Sequence, residues 1–310
     1  MTTPSPATRV AAQPDDPQDR LVAPVRWMKA VIVTARPRQW PKNLLVLAAP
    51  LAGHTVGRGL IYAAIAAVAF IAASSAVYLV NDAADAERDR THPYKRFRPI
   101  ASGQLAKAHA IAVAIALVLA AIGTGFAIGE PWFAATIALY LLISFLYSAG
   151  LKHVPVIELA CVASGFVLRV VGGAVATRVP PSHWFLVVCS LGALMVAVAK
   201  RYTELTVLGP EAAAHRPAMR RYSALTLRTG QRAISALMIA SYLLWAAAEH
   251  GAMRYWHLAS TVPLALALIR FDRLTARATS KPVEDLISRD PLMVACELIW
   301  LALFIVGLSV

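Results

Sequence analysis

Tyr78-Leu79-Val80-Asn81-Asp82-Ala83-Ala84-Asp85-Ala86-Glu87-Arg88-Asp89 closes an apolar run that starts near residue 60. About 20 apolar residues suffice to cross a bilayer as one helix, so this is where a membrane helix surfaces with acidic last turns. At about 100° per residue, Asp82, Asp85 and Asp89 lie within about 60° of one another, with Tyr78 one turn earlier on the same stripe and Asn81 beside it. Three carboxylates on one face repel unless a cation joins them, and hard oxygen ligands of this kind suit Mg2+. The ordinary alternative is a solvated helix end whose acids pair with Arg88, Arg90 or Lys95.

The next segment favours the metal. Lys95-Arg96-Phe97-Arg98-Pro99-Ile100-Ala101-Ser102-Gly103 sets cations directly after the acidic stripe, the juxtaposition that a metal bound to a diphosphate requires.

Outward from this junction the whole chain has the character of a membrane protein. Of its 310 residues 58% are apolar and 15% charged, with a mean hydropathy of +0.60, where a soluble domain is about half apolar and a quarter charged. Apolar blocks between breakers predict nine spans, roughly 42–57, 60–80, 108–128, 132–149, 154–176, 184–199, 233–250, 256–270 and 291–309. The expected architecture is therefore an all-α, polytopic nine-helix bundle over 26–310, behind a disordered tail covering 1–25. The first 40 residues contain no cleavable signal pattern.

The net charge of +13 would suggest nucleic acid in a soluble protein, but here the cations punctuate hydrophobic spans, and phosphates at a membrane surface are the expected partners. Of the 30 Lys and Arg, 26 fall in the tail and in the connections after spans two, four, six and eight, and 3 in the remaining connections. The positive-inside rule then puts the N terminus, the long loops and the acidic stripe in the cytoplasm and Val310 outside, in a cell (inner) membrane. The last cation, Arg169, sits deep within the fifth span, on one face with Glu158, Gly165 and Gly172, where a charge is functional by default.

Lys42 beside Asn43, Lys152 after Tyr147, and Lys200 with Arg201 should all reach the same cytoplasmic rim, either to hold substrate phosphate or to anchor lipid headgroups. Cys161, Cys189 and Cys296 lie far apart in apolar blocks and read as packing residues, and no His shows ligand spacing. Gly172-Gly173 has no GxGxxG context and reads as close helix packing. Asp272, Glu284, Asp285 and Asp290 read as solvated charge, with a second acidic contact to substrate as the lesser alternative.

At the quoted residues the chain resembles the UbiA superfamily of intramembrane prenyltransferases, whose first acidic motif is NDxxDxxxD followed by an RPxxSG-type segment. Here these are Asn81 to Asp89 and Arg98 to Gly103. The resemblance implies a nine-helix bundle with its acidic motifs facing the cytoplasm. It also marks a departure: where the typical member carries a second aspartate-rich motif, this chain reads Ala199-Lys200-Arg201-Tyr202-Thr203-Glu204-Leu205. With Arg36-Pro37-Arg38-Gln39-Trp40-Pro41-Lys42-Asn43, that implies the branch moving 5-phosphoribosyl from phosphoribosyl diphosphate (PRPP) to a polyprenyl (decaprenyl) phosphate, a step toward arabinan and arabinogalactan cell-wall precursors.

The expected site therefore comprises Asn81, Asp82, Asp85 and Asp89 as metal ligands, the three aspartates being catalytic. Tyr78, Lys42, Lys95, Arg98, Tyr147, Lys152, Glu158, Arg169, Lys200, Arg201 and Glu204 would contact substrate. The partners are PRPP, polyprenyl phosphate and membrane lipids, with no nucleic acid, and a homo-oligomer is left open. Two rivals remain: a prenyltransferase with an isoprenoid diphosphate donor and an aromatic acceptor, and a cation-coupled transporter. The transporter would carry its carboxylates near mid-membrane rather than at a helix end.

Overall fold

The computed structural model describes residues 17–52, 57–209, 217–277 and 283–309. Every regular element among them is helical: α1 (Pro17–Thr34), a 3-10 segment (Pro37–Leu47), α2 (Ala48–Ala52), α3 (Arg58–Arg90), α4 (Lys107–Ala127), α5 (Pro131–Ala149), α6 (Ile157–Thr177), α7 (His183–Leu208), α8 (Ala224–Ala248), α9 (Gly251–Thr275), α10 (Val283–Arg289) and α11 (Pro291–Ser309). Short 3-10 turns at Lys95–Phe97, Leu151–His153 and Pro217–Arg221 join some of them. Six helices, α3 to α7 and α11, are long and apolar enough to cross a membrane. The expected stretches 233–250 and 256–270 lie in α8 and α9, which are helical but carry Arg228 and Arg232, and Arg254, Arg270, Asp272 and Arg273. Leu119, Phe126, Leu142, Leu244, Val262 and Ile305 are each at least half exposed, a display that a soluble monomer avoids and that lipid tails would cover.

Three expectations change. The first candidate span, 42–57, is not one continuous helix: Pro37 and Pro41 each remove a backbone donor, and the chain winds as a 3-10 segment before the single turn of α2. Residues 53–56 lie outside the described residues. The stretch assigned to the tail is already helical from Pro17, at a position where a missing N–H breaks no helical bond; residues 1–16 lie outside the described residues. Finally, α3 and α7 run well past their apolar blocks to Arg90 and Leu208, because nothing between ends them before Thr91-His92-Pro93 and Gly209-Pro210. Hydropathy reports where lipid ends, not where the helix does.

Two glycines bring the 3-10 segment into the core. A Cβ on Gly173 would run into the Val46 carbonyl, and one on Gly172 would meet the Phe70 ring. Val46, Phe70, Phe133, Ile137 and Tyr140 then form one buried cluster joining the 3-10 segment, α3, α5 and α6. Phe70 packs edge-on to Phe133 at 6.1 Å and to Tyr140 at 5.5 Å between centroids. The paired glycines thus serve helix packing, as their context suggests. A second cluster around Met195, Leu268, Phe271 and Met293 joins α7, α9 and α11. There Asp290 accepts from Arg270 at 3.1 and 2.7 Å and caps α11 through the Met293 N–H at 3.0 Å. The hydrogen bond from Arg270 holds the Asp290 carboxyl down at about 2, so this pair stays ionised throughout the neutral range.

Because Gly173 faces backbone rather than a movable side chain, Gly173→Ala should destabilise the protein by about 1–3 kcal/mol through overpacking. Gly123→Ala, with nothing within 4 Å of the added methyl, should leave the thermal transition of detergent-purified protein unchanged or slightly raised.

Candidate active site

The extension of α3 beyond the apolar block carries Tyr78, Asn81, Asp82, Asp85 and Asp89 on continuous helix. Burial divides the three aspartates. The side chains of Asp82 and Asp89 are only 5% and 3% exposed, whereas Asp85 is 36% exposed and pairs with Arg88 one turn on. A buried carboxylate needs a counter-cation, and two arginines from different segments supply it. Arg98 Nη1 donates to Asp89 at 2.7 Å and to Asp82 at 3.2 Å, bridging the two, while Arg36 Nη2 donates to Asp82 at 2.7 Å.

Arg36 ends the turn after α1 and adopts a left-handed backbone with φ of 55°. The following proline disfavours the right-handed helical region at this position, and the turn is held on α3 by the Ser75 hydroxyl donating to the Ala35 carbonyl at 3.5 Å. That fixes the Arg36 guanidinium over the Tyr78 ring, 4.8 Å from its centroid. Arg36 was not among the expected site residues; its signal was the Arg-Pro step just before the first cationic anchor.

The other expected residues form two further groups. Arg169 donates to Asn43 at 2.8 Å, to the Tyr140 hydroxyl at 3.1 Å and to the Gly165 carbonyl, and lies over the Tyr140 ring. Buried, it fastens the 3-10 segment to α5 and α6, and its hydrogen bonds do not go to the aspartates. Glu158, fully buried in the first turn of α6, accepts from Arg201 Nε at 2.8 and 2.9 Å, and Arg201 Nη1 reaches Glu204 at 2.7 Å. Lys200, Arg201 and Glu204 thus lie within α7 rather than beyond its end, and Arg201 is committed to two carboxylates. Nearby, the Tyr222 hydroxyl accepts from the Val156 N–H at 2.7 Å. Lys42, Tyr147, Lys152 and Lys200 are half-buried and Lys95 is exposed in its 3-10 turn.

Could the acidic stripe hold a divalent ion? Among the described residues no three His, Cys, Asp or Glu side chains are gathered around one point. Mg2+, however, is commonly bound by one or two carboxylates, with waters and substrate phosphates completing its shell. Asp82 and Asp89 already share one cationic group, Arg98 Nη1, so a cation fits between these two hard oxygen donors.

Toward the second half of the bundle lies a cavity of about 440 Å³ lined by Leu45, Phe166, Val188, Met238 and Phe271, with Glu297 its one charged lining residue. Cys189 and Cys296 also line it, consistent with cysteines used for packing.

The model of the UbiA prenyltransferase family matches residues 44–287. Decaprenyl-phosphate phosphoribosyltransferase of Mycobacterium tuberculosis is 36% identical over 287 residues, 90% of this chain and 94% of that protein. The protein of the same name from Corynebacterium glutamicum is 41% identical over 249 residues, 78% of this chain and 75% of its own length. Among solved structures, a UbiA homolog from Archaeoglobus fulgidus bound to DMAPP and Mg2+ superposes with a TM-score of 0.66 over 90% of this chain and 98% of that one. Its 15% identity makes this a likeness of fold.

Arg201→Met would remove the guanidinium from which both oxygens of the buried Glu158 accept and should destabilise the protein by about 3–5 kcal/mol. Adding Glu158→Met should recover most of that loss, because the remaining Glu204 side chain is 22% exposed and can be solvated. Thermal unfolding of the purified single and double variants checks both signs.

Proposed function

Because the chain belongs to the UbiA prenyltransferase family, we propose that this multi-pass membrane transferase moves 5-phosphoribosyl from PRPP to a polyprenyl phosphate such as decaprenyl phosphate. The observation that carries this reading is the 36–41% identity, over most of the chain, to relatives named decaprenyl-phosphate phosphoribosyltransferase. The helices act together as one intramembrane domain, with the N terminus and the site at the cytoplasmic face and Val310 outside. The product would feed arabinan and arabinogalactan precursor synthesis.

In the reaction the bond from ribose C1 to the diphosphate breaks, pyrophosphate leaves, and an oxygen of the lipid phosphate bonds to C1. Asp82 and Asp89, with Asp85 and Asn81 on the same helix end, would hold Mg2+ together with the substrate's phosphates, and the ion would supply positive charge for the leaving diphosphate. Lys95 and Arg98, in the basic segment that follows the stripe, hold diphosphate oxygens, and Tyr78 on the stripe contacts substrate. Lys42, Tyr147, Lys152 and Lys200 supply donors around the rim for the 5-phosphate and the lipid phosphate. Arg169 keeps Asn43 and Tyr140 in place beneath them. The lipid phosphate is already an anion, so no strong general base is needed. The apolar cavity offers the prenyl chain a path from the bilayer.

Charge favours this donor over an isoprenoid diphosphate. PRPP and a lipid phosphate together bring several negative charges to one cleft, and a second free acidic motif would repel the incoming phosphate. The carboxylates near the second motif position, Glu158 and Glu204, are instead tied to Arg201. The family description, prenyltransferase, keeps transfer of an isoprenoid group as the rival, with the aromatic acceptor expected from the sequence.

Purified protein with Mg2+, labelled PRPP and polyprenyl phosphate should yield labelled lipid, and Asp85→Asn should lower that turnover by orders of magnitude with the fold intact, since the position is wet. Free polyprenol should be a poor acceptor. Prenylated aromatic product from a prenyl diphosphate, without any ribosylated lipid, would overturn the assignment.

A further inference from the structure

The two arginines at the acidic stripe differ from their partners in one respect. Asp82 and Asp89 are buried to about the same degree as the core, yet the Arg36 and Arg98 side chains are 34% and 31% exposed. The carboxylates are fixed on helix, whereas the cations reach them from outside, Arg36 out of a left-handed turn and Arg98 from the residue capping a 3-10 turn in extended backbone. Rotating either guanidinium away needs no rearrangement of α3.

A guanidinium bridging two carboxylates and a divalent ion bridging the same two compete for the same oxygens, since Asp82 Oδ1 accepts from both arginines and Asp89 Oδ2 from Arg98. With Arg98 Nη1 seated between the two carboxylates, a divalent ion bridging the same pair would meet a like charge at contact distance, so the guanidinium has to swing away before the ion can take its place. Phosphate oxygens, however, offer an arginine an anionic acceptor that its two-pronged donor fork matches as well as it matches the carboxylate it gives up.

We propose that Arg36 and Arg98 are exchangeable internal cations: they neutralise Asp82 and Asp89 in the ligand-free protein and transfer to phosphate oxygens of the donor when a divalent ion takes those carboxylates. This rests on the metal-diphosphate reading above and adds to it Arg36 as a phosphate-binding residue and a stated order of preference. The site then disfavours a bare metal ion and accepts it together with the diphosphate, because only the diphosphate compensates the displaced arginines. Linkage makes the coupling mutual: whatever factor pyrophosphate adds to metal affinity, the metal adds to pyrophosphate affinity.

The test is Mn2+ binding, followed by electron paramagnetic resonance, to full-length detergent-purified protein with and without inorganic pyrophosphate. Arg98→Gln and Arg36→Gln remove a competitor and should each tighten binding of Mn2+ alone about tenfold, the scale of one charge-assisted hydrogen bond. They should also weaken pyrophosphate binding in the presence of Mn2+, so the coupling between the two ligands shrinks. A merely structural role for these arginines would weaken both, and such a result overturns the proposal. Arg98→Lys, which keeps the charge and is the milder change, should fall between wild type and Arg98→Gln, so the trend is readable even where a Gln variant fails to fold. If Mn2+ binds the wild type, is lost in Asp82→Asn and is unchanged in all arginine variants, the exchange is wrong while the metal site stands. If Asp82→Asn binds Mn2+ as well as the wild type does, the metal reading falls and the exchange with it.

Discussion

Negative charge buried at the end of a membrane-length helix is the constraint on which this structure turns. Asp82 and Asp89 sit on the inward face of α3 with almost no exposure, and a buried carboxylate is costly without a counter-charge. Something cationic must reach them. The turn after α1 and the segment after α3 are folded so that Arg36 and Arg98 do. The left-handed backbone at Arg36 is part of that arrangement, being a residue held in a sparsely populated conformation at the place where its side chain meets the stripe.

The charged group joining the start of α6 to α7 solves the same problem in a closed form. Glu158 and Glu204 are joined by Arg201, whose side chain is 7% exposed, far less than Arg36 or Arg98. One acidic group is neutralised by cations about a third exposed, and the other by a cation packed in place. On the proposed reading, that asymmetry leaves one acidic cluster to receive an ion and suits a reaction in which both partners carry phosphate.

Between the two lies the 3-10 segment, which the Gly173 contact holds against α6. Its Asn43 accepts from Arg169 and donates to Trp40 and Ser74, so one amide joins α6, the segment and α3. The intramembrane arginine therefore has a structural partner set of its own. Its charge is distributed over an amide, a hydroxyl, a carbonyl and two aromatic faces rather than over a carboxylate.

Composition, block lengths and the 3 and 4 spacing of Asp82, Asp85 and Asp89 were enough to determine an all-helical membrane protein and the helix on which its acids sit; the family was legible only through the resemblance of Asn81 to Asp89 and Arg98 to Gly103 to its motifs. Those features depend on local periodicity and on the hydropathy of contiguous residues, which a sequence displays directly. The helix ends were less legible: α7 carries Lys200, Arg201 and Glu204 within it because charged residues propagate a helix beyond the lipid boundary that hydropathy detects. Only the tertiary structure decided which cation meets which acid. Arg36 and Asp82 are 46 residues apart and Arg201 and Glu158 are 43, and every Lys or Arg on the same rim satisfies the same charge rule. The choice among them is made by backbone approach, by the absence of a side chain at Gly173, and by a proline that turns Arg36 toward α3, none of which leaves a periodic trace in the sequence.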